Sequence, residues 1–461
     1  MKFSKKNQIN EIFIFFLFSH LFIWVAIPTF SNNNLPLDVI EAIVWSDGWP
    51  LGWEKHPPLS SWFPGLFFKI FGNQDWVYYL LSQLFVVTSF IVVWKFSLEF
   101  FEDKISALIS VLLLEGIFFY NYTTPEFNVN VCQLPFWSLT VFYCWRGIKK
   151  NDTTSWLLFG LFAGLGILSK YLFIYLLVSL DVFFVYLILK KKFKYKSFIS
   201  LITFFLILTP HVIWLVQNDF ITLTYAFSRT GINQSDYIDH LLYPTMFLGK
   251  QIGIILPFVL MFLFVVSKFK FKINLKDKKL LFLLTINLIP IFLMFLTSLI
   301  MGAKIRTMWM TPFYLFSGVL IVYIFQIKKT LYKLKYFFSI FLIFFLLSPA
   351  TYLYVSITQT DKRTDYPGKI IAKTIQEEWK KRFTNQIGIV GGSMWQAGNL
   401  YYNLKPTPKW DNILNEEKNT KFKNKKDGFV LIGDQDILSE ICNGTFLKIE
   451  KEGICMIGIK K

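Results

Sequence analysis

The chain has 461 residues, of which 54% are hydrophobic and 53 are phenylalanine, and its mean hydropathy is +0.46. Such a high apolar content excludes an ordinary soluble globular protein of this length. The formal charge of +18 does not indicate nucleic-acid binding, because lysine and arginine are concentrated in short clusters between apolar runs. Four cysteines are too few for a disulfide-based scaffold.

Apolar runs recur along the first three quarters of the chain, and many have the length of about 18–25 residues that crosses a bilayer as a helix. The first run follows a basic N-terminus and has no small-residue cleavage site. We therefore interpret it as a retained span rather than a removed signal peptide. We predict about eleven spans, at residues 11–30, 76–98, 105–121, 128–146, 156–169, 171–189, 197–217, 241–267, 280–301, 309–326 and 336–356.

Every second loop between these runs is basic, and the largest basic loops are residues 190–196, 268–279 and 328–335. The positive-inside rule places these loops in the cytoplasm. The N-terminus then lies inside and, because the number of spans is odd, the C-terminal tail lies outside. We expect a multi-pass membrane protein, with a transmembrane domain at 1–356 and a domain on the outer face at 357–461.

The tail predicts a small α/β domain on the outer face of the membrane. The segments "QIGIVGG" (386–392) and "GFVLIGD" (428–434) are typical of short buried strands, and 369–383 has apolar residues at helical spacing. Residues 446–459 predict a hairpin with a Glu-Gly turn, and 418–428 a solvated loop.

The cysteines fall into two groups. Cys442 and Cys455 lie in the tail and can pair if the tail faces an oxidising compartment. Cys132 and Cys144 lie in one apolar run, and we expect them in the core.

The first outer loop, residues 31–75, is polar and rich in tryptophan. Asp38 and Glu41 are three residues apart, so they share one face if the segment is helical. Pro57 and Pro58 are expected to stop a helix and to stiffen the approach to the second span. Two interpretations remain open: an interfacial helix with solvated acids, or a carboxylate at the water–lipid boundary that takes a proton from an incoming hydroxyl.

Further charges are predicted on the same face. Glu126 follows the third span, Lys170 joins two apolar runs with almost no loop, and Lys304 and Arg306 follow the ninth span. Taken singly, each cation is typical of a side chain that snorkels to the interface. Taken together, three cations and three acids suit a substrate with an anionic phosphate at the membrane surface and a neutral sugar beyond it.

Five segments resemble motifs of the GT-C glycosyltransferases, which include the protein mannosyltransferases and the bacterial aminoarabinose transferase of lipid A. The likeness covers almost the whole chain in order. The segments are Asp38, Trp45-Ser46, Gly52-Trp53 and His56-Pro57-Pro58-Leu59 in the first outer loop; "TPEF" at 124–127; "GLGILSKY" at 164–171; "IRTMWMTP" at 305–312; and "WQAGNLYYNLKPTP" at 395–408, which resembles a strand-to-loop part of the outer domain.

This resemblance implies transfer of a sugar from a polyprenyl monophosphate to an acceptor nucleophile, with inversion and without a covalent enzyme intermediate. By position Asp38 takes the role of base, and Glu126 orients the acceptor. Lys170 binds the donor phosphate, with Lys304 and Arg306 as further candidates. His56 and its neighbour Lys55 complete that candidate set.

The chain departs from the family pattern in places. Val39 stands where many members have a second acid, and Glu41, one helical turn on, is an alternative base. Glu126 stands where Asp is commoner. The aminoarabinose transferase has a metal site, but we find no paired metal-ligand spacing here, so no metal is carried over and no cofactor is firmly implied.

The expected partners are the lipid-linked donor, membrane lipids and an envelope acceptor, with no nucleic acid. Lipid A, a glycan, a lipid-linked saccharide and a protein hydroxyl all remain open as acceptors, and the outer loop 228–240 is a candidate for recognising them. A transporter or flippase of a lipid-linked sugar is the main alternative, although we find no inverted repeat. A non-catalytic scaffold is a third hypothesis. Glu115 is a buried acid for which the sequence names no partner, and His20, inside the first span, is given no role.

Overall fold

The computed structural model describes residues 6–230, 236–266, 274–325, 330–411 and 427–461. Most of these residues are helical. In chain order the α-helices are α1 (Lys6–Ser31), α2 (Leu37–Trp45), α3 (Leu59–Phe71), α4 (Asp75–Phe100), α5 (Lys104–Leu112), α6 (Val129–Cys132), α7 (Leu134–Lys150), α8 (Thr153–Ser169), α9 (Ile174–Leu189), α10 (Ile199–Gln217), α11 (Ile221–Thr230), α12 (Asp239–Leu263), α13 (Lys278–Met301), α14 (Ser317–Phe325), α15 (Leu331–Thr358), α16 (Gly368–Arg382), α17 (Met394–Asn403) and α18 (Gln435–Ile441).

The chain is a multi-pass membrane protein. An eighth span is formed if the short helix Thr307–Tyr314 and α14, bent by 52°, are taken as one. Within the described ranges, seven helical segments are by themselves long and apolar enough to cross a membrane: Gln8–Ser31, Asp75–Phe100, Tyr171–Leu189, Tyr195–Gln217, Asp239–Leu263, Lys278–Met301 and Leu331–Thr358.

The remaining predicted spans, 105–121, 128–146 and 156–169, form shorter or broken helices. Helix α5 ends at Leu112 and continues as 3₁₀ turns. A Cβ on Gly116 in these turns would lie 2.6 Å from the backbone of Phe258, so α12 packs directly on the broken segment. About eleven is thus an approximate number of apolar segments, not a number of full-length helices.

Helices α8 and α10 pack closely through glycine. A Cβ on Gly160 would lie 1.8 Å from the carbonyl oxygen of Ser200, and one on Gly164 would lie 3.1 Å from Ile207. The hydroxyl of Thr203 donates to the carbonyl of Leu157 at 2.7 Å. Small residues four apart allow two helix backbones to approach in lipid, where there is little hydrophobic driving force between helices. This packing fixes α8 against α10.

A buried polar network lies among α1, the turns after α5, and α15. His20 Nδ1 and Glu115 Oε1 are 2.7 Å apart, and both residues are buried. The Asn121 amide donates to the Glu115 carbonyl at 2.9 Å, and its oxygen accepts from Ser348 at 2.9 Å. The structure thereby supplies the partner for Glu115 that the sequence did not name.

The chain folds into two compact units. The first comprises Met1–Pro28, Leu51–Ser60 and Tyr79–Val355, and contains nearly all of the spanning helices. The second comprises Thr29–Pro50, Ser61–Tyr78 and Ser356–Lys461.

A mixed five-stranded sheet forms part of the second unit, as an α/β domain requires. The strand order is β2-β1-β3-β5-β4; β1 is parallel to both neighbours and β5 antiparallel to both. The strands are β1 (Ile387–Gly392), β2 (Lys409–Asp411), β3 (Gly428–Gly433), β4 (Thr445–Ile449) and β5 (Glu452–Ile457).

The predicted elements of the tail are confirmed with one correction. Strands β1 and β3, helix α16 and the β4–β5 hairpin form where the sequence predicts them. The Glu-Gly turn is wrong, because the turn lies at Glu450 and Lys451, and Glu450 has the positive φ of 54°. Gly453 lies inside β5, where a Cβ would be 2.8 Å from the Cα of Gln435; this glycine allows close packing rather than a turn.

The four cysteines lie as the sequence predicts. Cys442 and Cys455 form a disulfide between the end of α18 and β5, and Cys132 and Cys144 are buried.

Most of the loop predicted at 418–428 lies outside the described residues, as do parts of the basic loops 268–279 and 328–335.

Replacing Gly160 by alanine is expected to lower the free energy of unfolding by about 1–3 kcal/mol, because the new methyl group must push α10 away. Gly249→Ala in α12 is the matched control, since a Cβ there meets nothing within 4 Å and alanine stabilises a helix by about 0.5–1 kcal/mol relative to glycine. Thermal unfolding in detergent measures both. Equal midpoints for the two variants would contradict the packing described above.

His20→Leu is expected to destabilise the first unit by about 3–5 kcal/mol, because it leaves a carboxyl group buried without its partner. The double variant His20→Leu/Glu115→Gln should recover part of this loss, since a neutral amide is less costly to bury. A double-mutant cycle from unfolding curves measures the coupling. Strictly additive effects would mean that the two side chains do not stabilise each other.

Candidate active site

Helix α2 carries the two acids predicted as the base. Asp38 lies in its first turn, where the helix dipole favours negative charge. Glu41 follows one turn later, so the two acids share a helical face as their spacing predicted. Their environments differ, because Glu41 is only 8% exposed whereas Asp38 is partly exposed. Both belong to the second unit; the other predicted site residues belong to the first.

Helix α17 packs against α2 within the second unit. A Cβ on Gly398 would lie 2.9 Å from the Ile40 side chain and 3.3 Å from that of Val44. The Tyr402 hydroxyl donates to Asp75 at 2.8 Å. The strand-to-loop structure expected for 395–408 is therefore wrong: its first part is the helix α17, whose Gly398 packs on the acid-bearing helix.

A histidine in α10 anchors the segment Leu51–Ser60 of the first unit. His211 Nδ1 is 2.6 Å from the Leu51 carbonyl oxygen, and Nε2 is 2.7 Å from the Tyr171 hydroxyl. Since a carbonyl can only accept, Nδ1 carries the proton and Nε2 of the neutral ring accepts from the tyrosine. The first outer loop is thus tied to the junction that carries Lys170.

Two further contacts hold the same segment. The Thr222 hydroxyl of α11 donates to the Trp53 carbonyl at 2.6 Å. Gly52 lies against the ring of Trp214, where a Cβ would be only 2.4 Å away. The Gly-Trp pair of the motif therefore lets the loop lie flat on α10. Immediately after Pro57 and Pro58, α3 begins at Leu59.

His56 lies within a group of cations. Its surroundings desolvate the ring, and the nearby charges of Lys170, Lys55 and Arg229 add to this effect, so that its pKa is lowered to about 3. The imidazole is accordingly neutral near pH 7. It can offer a hydrogen bond to an anion, while the positive charge of the site is supplied by the surrounding side chains.

Lys170 lies at the break between α8 and the 3₁₀ turn Tyr171–Phe173, with extended backbone angles. Only 6% of the residue is exposed. Its ammonium donates to Asn130 Oδ1 at 2.5 Å and lies 5.3 Å from the ring centre of Trp309. These two contacts stabilise the buried cation.

Glu126 is partly exposed in a loop whose neighbours are buried. Thr124 accepts from the Gln83 amide at 2.9 Å and donates to the Asn121 carbonyl at 2.6 Å, so the loop rests on the polar network of His20 and Glu115. Phe127 is fully buried. Glu126 is thus presented by a fixed loop, four residues before the asparagine that binds Lys170.

Lys304 and Arg306 lie in the loop after α13. The Lys304 amide donates to the Thr230 carbonyl at 3.2 Å, and its exposed ammonium lies 5.9 Å from the Tyr243 ring. Arg306 precedes the 3₁₀ helix that carries Trp309, and its carbonyl accepts from the Trp309 amide at 3.0 Å. One end of the loop therefore meets the helix that carries Arg229, and the other leads to the ring beside Lys170.

Sequence reasoning gave no role to several residues that shape this site. Trp309 lies inside a quoted motif, and Arg229 lies at the start of the loop 228–240, whose residues 231–235 fall outside the described part. Asn130, His211 and Thr222 have no local signal, because their importance comes from partners at least 40 residues away in the chain.

The described ranges contain no group of three or more His, Cys, Asp and Glu side chains that could hold a metal ion.

Comparison with known families identifies the segment that carries much of this site. Residues 55–214 match the family model described as dolichyl-phosphate-mannose-protein mannosyltransferase. The matched stretch includes Lys55, His56, Glu126, Asn130 and Lys170. No curated protein matches the chain.

Solved structures share the fold over nearly the whole chain. The crystal structure of ArnT from Cupriavidus metallidurans bound to undecaprenyl phosphate has a TM-score of 0.62 and 12% identity, over 96% of this chain and 97% of that one. The crystal structure of ArnT from the same organism in the apo state has a TM-score of 0.52 and 12% identity, over 98% of each chain. The family model matched over residues 55–214 and the fold shared with these structures agree with the resemblance seen in the motifs.

Proposed function

We propose that the chain is an inverting glycosyltransferase that moves a sugar from a polyprenyl-phosphate donor to an envelope acceptor. The observation that carries this proposal is the group of Lys170, Lys55 and Arg229 around a neutral His56. Such a group of cations stabilises an anion with a dispersed charge, such as a phosphate monoester. Most of it lies in the stretch that matches the mannosyltransferase family, and the similarly folded ArnT has been solved with undecaprenyl phosphate.

Lys170 is the main phosphate ligand in this proposal. Its ammonium is held by Asn130 and Trp309, so little reorganisation is needed when the donor phosphate arrives. Charge builds on the phosphate as the glycosidic bond breaks, and a preorganised cation stabilises this charge more than that of the ground state. Arg229, Lys304 and Arg306 supply further positive charge, and His56 donates a hydrogen bond.

Asp38 is the proposed base. The acceptor hydroxyl attacks the anomeric carbon from the face opposite the phosphate and gives its proton to the carboxylate. The bond between the anomeric carbon and the phosphate oxygen breaks with both electrons leaving on oxygen, so the anomeric centre inverts. Of the two candidates, Asp38 is more exposed than Glu41, which favours Asp38 for meeting an acceptor from solvent.

Glu126 orients the acceptor in this proposal, because its loop is fixed by Thr124 and Phe127 while its carboxylate remains partly exposed. Hydroxyl groups of the acceptor would donate hydrogen bonds to this carboxylate, which would place the nucleophile for attack. The acceptor is an envelope lipid such as lipid A, a glycan or a protein hydroxyl. The donor sugar is a hexose or a pentose.

The proposed location is the bacterial inner membrane, with the reaction at its outer face. The basic loops predict the cytoplasmic side, and the disulfide between Cys442 and Cys455 suits a tail in the oxidising periplasm.

Asp38→Asn is expected to lower the release of polyprenyl phosphate from a labelled polyprenyl-phosphate sugar by about a hundredfold or more, because general-base assistance contributes at least that much. Glu41→Gln, on the same helix face, is the matched control and should retain most of the activity. Turnover is measured with purified protein in mixed detergent–lipid micelles and a set of envelope acceptors.

The reverse ranking of these variants would move the base to Glu41. Tight donor binding without release from any donor, unaffected by either change, would overturn the enzyme and favour the transport of a lipid-linked sugar.

Lys170→Met is expected to lower turnover by about 10²–10³-fold, the usual cost of removing one preorganised electrostatic contact to a developing charge. The variant should also lose the rise in melting temperature that undecaprenyl phosphate gives to the wild type. Lys150→Met, at an exposed site near the end of α7, is the control. A full ligand-induced shift in Lys170→Met would show that the phosphate binds elsewhere.

A further inference from the structure

The second unit contains a cavity of about 460 Å³ that none of the proposed catalytic steps uses. It lies between the segment 361–367, the first turn of α17 and the β4–β5 hairpin. Its volume falls within the range of about 300–1,000 Å³ that is usual for small-molecule sites. The residues that give it a chemical character are Trp395, Tyr366, Arg363 and Glu452.

Trp395 provides a fixed aromatic surface in this cavity. It lies in the first turn of α17, and the Ser393 hydroxyl caps this helix by accepting from the backbone N–H of Gln396 at 3.2 Å. The indole is partly exposed, and the Tyr366 ring centre lies 5.3 Å away at an angle of 56°. The exposed Arg363 lies 5.8 Å from the ring centre, in a weak surface contact that a ligand can displace.

Glu452 and Tyr366 provide polar groups beside the aromatic surface. Glu452 is 8% exposed, and its carboxylate accepts from the side-chain amide of Gln396 at 2.6 Å. Burial raises the pKa of its carboxyl group. The Tyr366 hydroxyl lies beside this carboxyl group, and burial together with the neighbouring Glu452 raises the pKa of the tyrosine. The two side chains form one polar edge of the cavity.

The charges around this cavity are largely paired with one another. Lys362 and Asp365 are 2.8 Å apart, and Lys451 and Asp361 are 3.2 Å apart. The lining contains four acids and three bases, so it does not present the excess of cations that surrounds His56. A phosphate or a uronic acid has little to gain here, whereas a ligand with several hydroxyls does.

We propose that this cavity binds a pyranose sugar that carries no acidic group. The sugar ring would pack its apolar C–H face on Trp395, as apolar surfaces do on aromatic rings. A sugar hydroxyl would donate to the Glu452 carboxylate at the polar edge that it forms with Tyr366. All of these residues lie in the second unit, so the site is distinct from the donor-phosphate site and does not rest on the proposed catalysis.

The test is saturation-transfer NMR on the full-length protein in detergent micelles, with methyl glucoside, glucosamine and glucuronic acid as separate probes. We expect transfer to methyl glucoside and glucosamine, and transfer to glucuronic acid lower by about threefold or more, the difference expected from weak exposed charges. Trp395→Ala should reduce transfer to methyl glucoside at least about fivefold, the scale of one aromatic contact. Trp49→Ala is the matched control, because this tryptophan of the same unit is 41% exposed and does not line the cavity.

Tyr366→Phe removes only the hydroxyl beside Glu452 and is the second cavity variant if Trp395→Ala does not fold. It should also weaken the transfer to methyl glucoside. Lys170→Met should leave sugar binding intact, so that loss of donor binding and loss of sugar binding are separable. The proposal is overturned by the absence of transfer from any sugar, by equal transfer in the wild type and both cavity variants, or by binding of glucuronic acid alone.

Discussion

The buried ammonium of Lys170 is the constraint on which the rest of the site depends. Taking a charge out of water costs several kcal/mol per ion. Within an apolar bundle, a charged side chain is therefore stable only where other segments supply oxygen atoms or aromatic faces. Asn130 and Trp309 do so from two different parts of the chain. Helix α6, the α8–α9 junction and the segment after α13 must therefore meet at one place.

The helices provide a rigid frame for this meeting point. Gly160 lets α8 approach the backbone of α10, which places His211 where it contacts both Leu51 and Tyr171. A single imidazole thus links the first outer loop to the junction that carries Lys170. Because each hydrogen bond is formed in a largely apolar environment, the loss of either partner is costly, and the loop has little freedom to move away.

The second unit combines segments that are far apart in sequence. Helix α2, with Asp38 and Glu41, packs on α17 more than 350 residues later through the close approach of Ile40 and Gly398. The same α17 carries Trp395 on the wall of the sugar-sized cavity. One short helix therefore supports both the proposed base and the proposed sugar site.

The sequence by itself determined the apolar segments, four of the five strands of the tail and the charged residues between the apolar segments, because hydrophobic runs, alternation and the spacing of charges are local properties. The partners of these residues were decided only by the tertiary structure: Asn130 and Trp309 for Lys170, His20 for Glu115, and Arg229 beside His56. The break in the third predicted span and the helical form of α17 could not be predicted either, because Gly116 and Gly398 each pack against residues that are distant in sequence. A local pattern shows which residue is polar or small. The group that bonds to the polar residue, or packs against the small one, is determined by the tertiary structure.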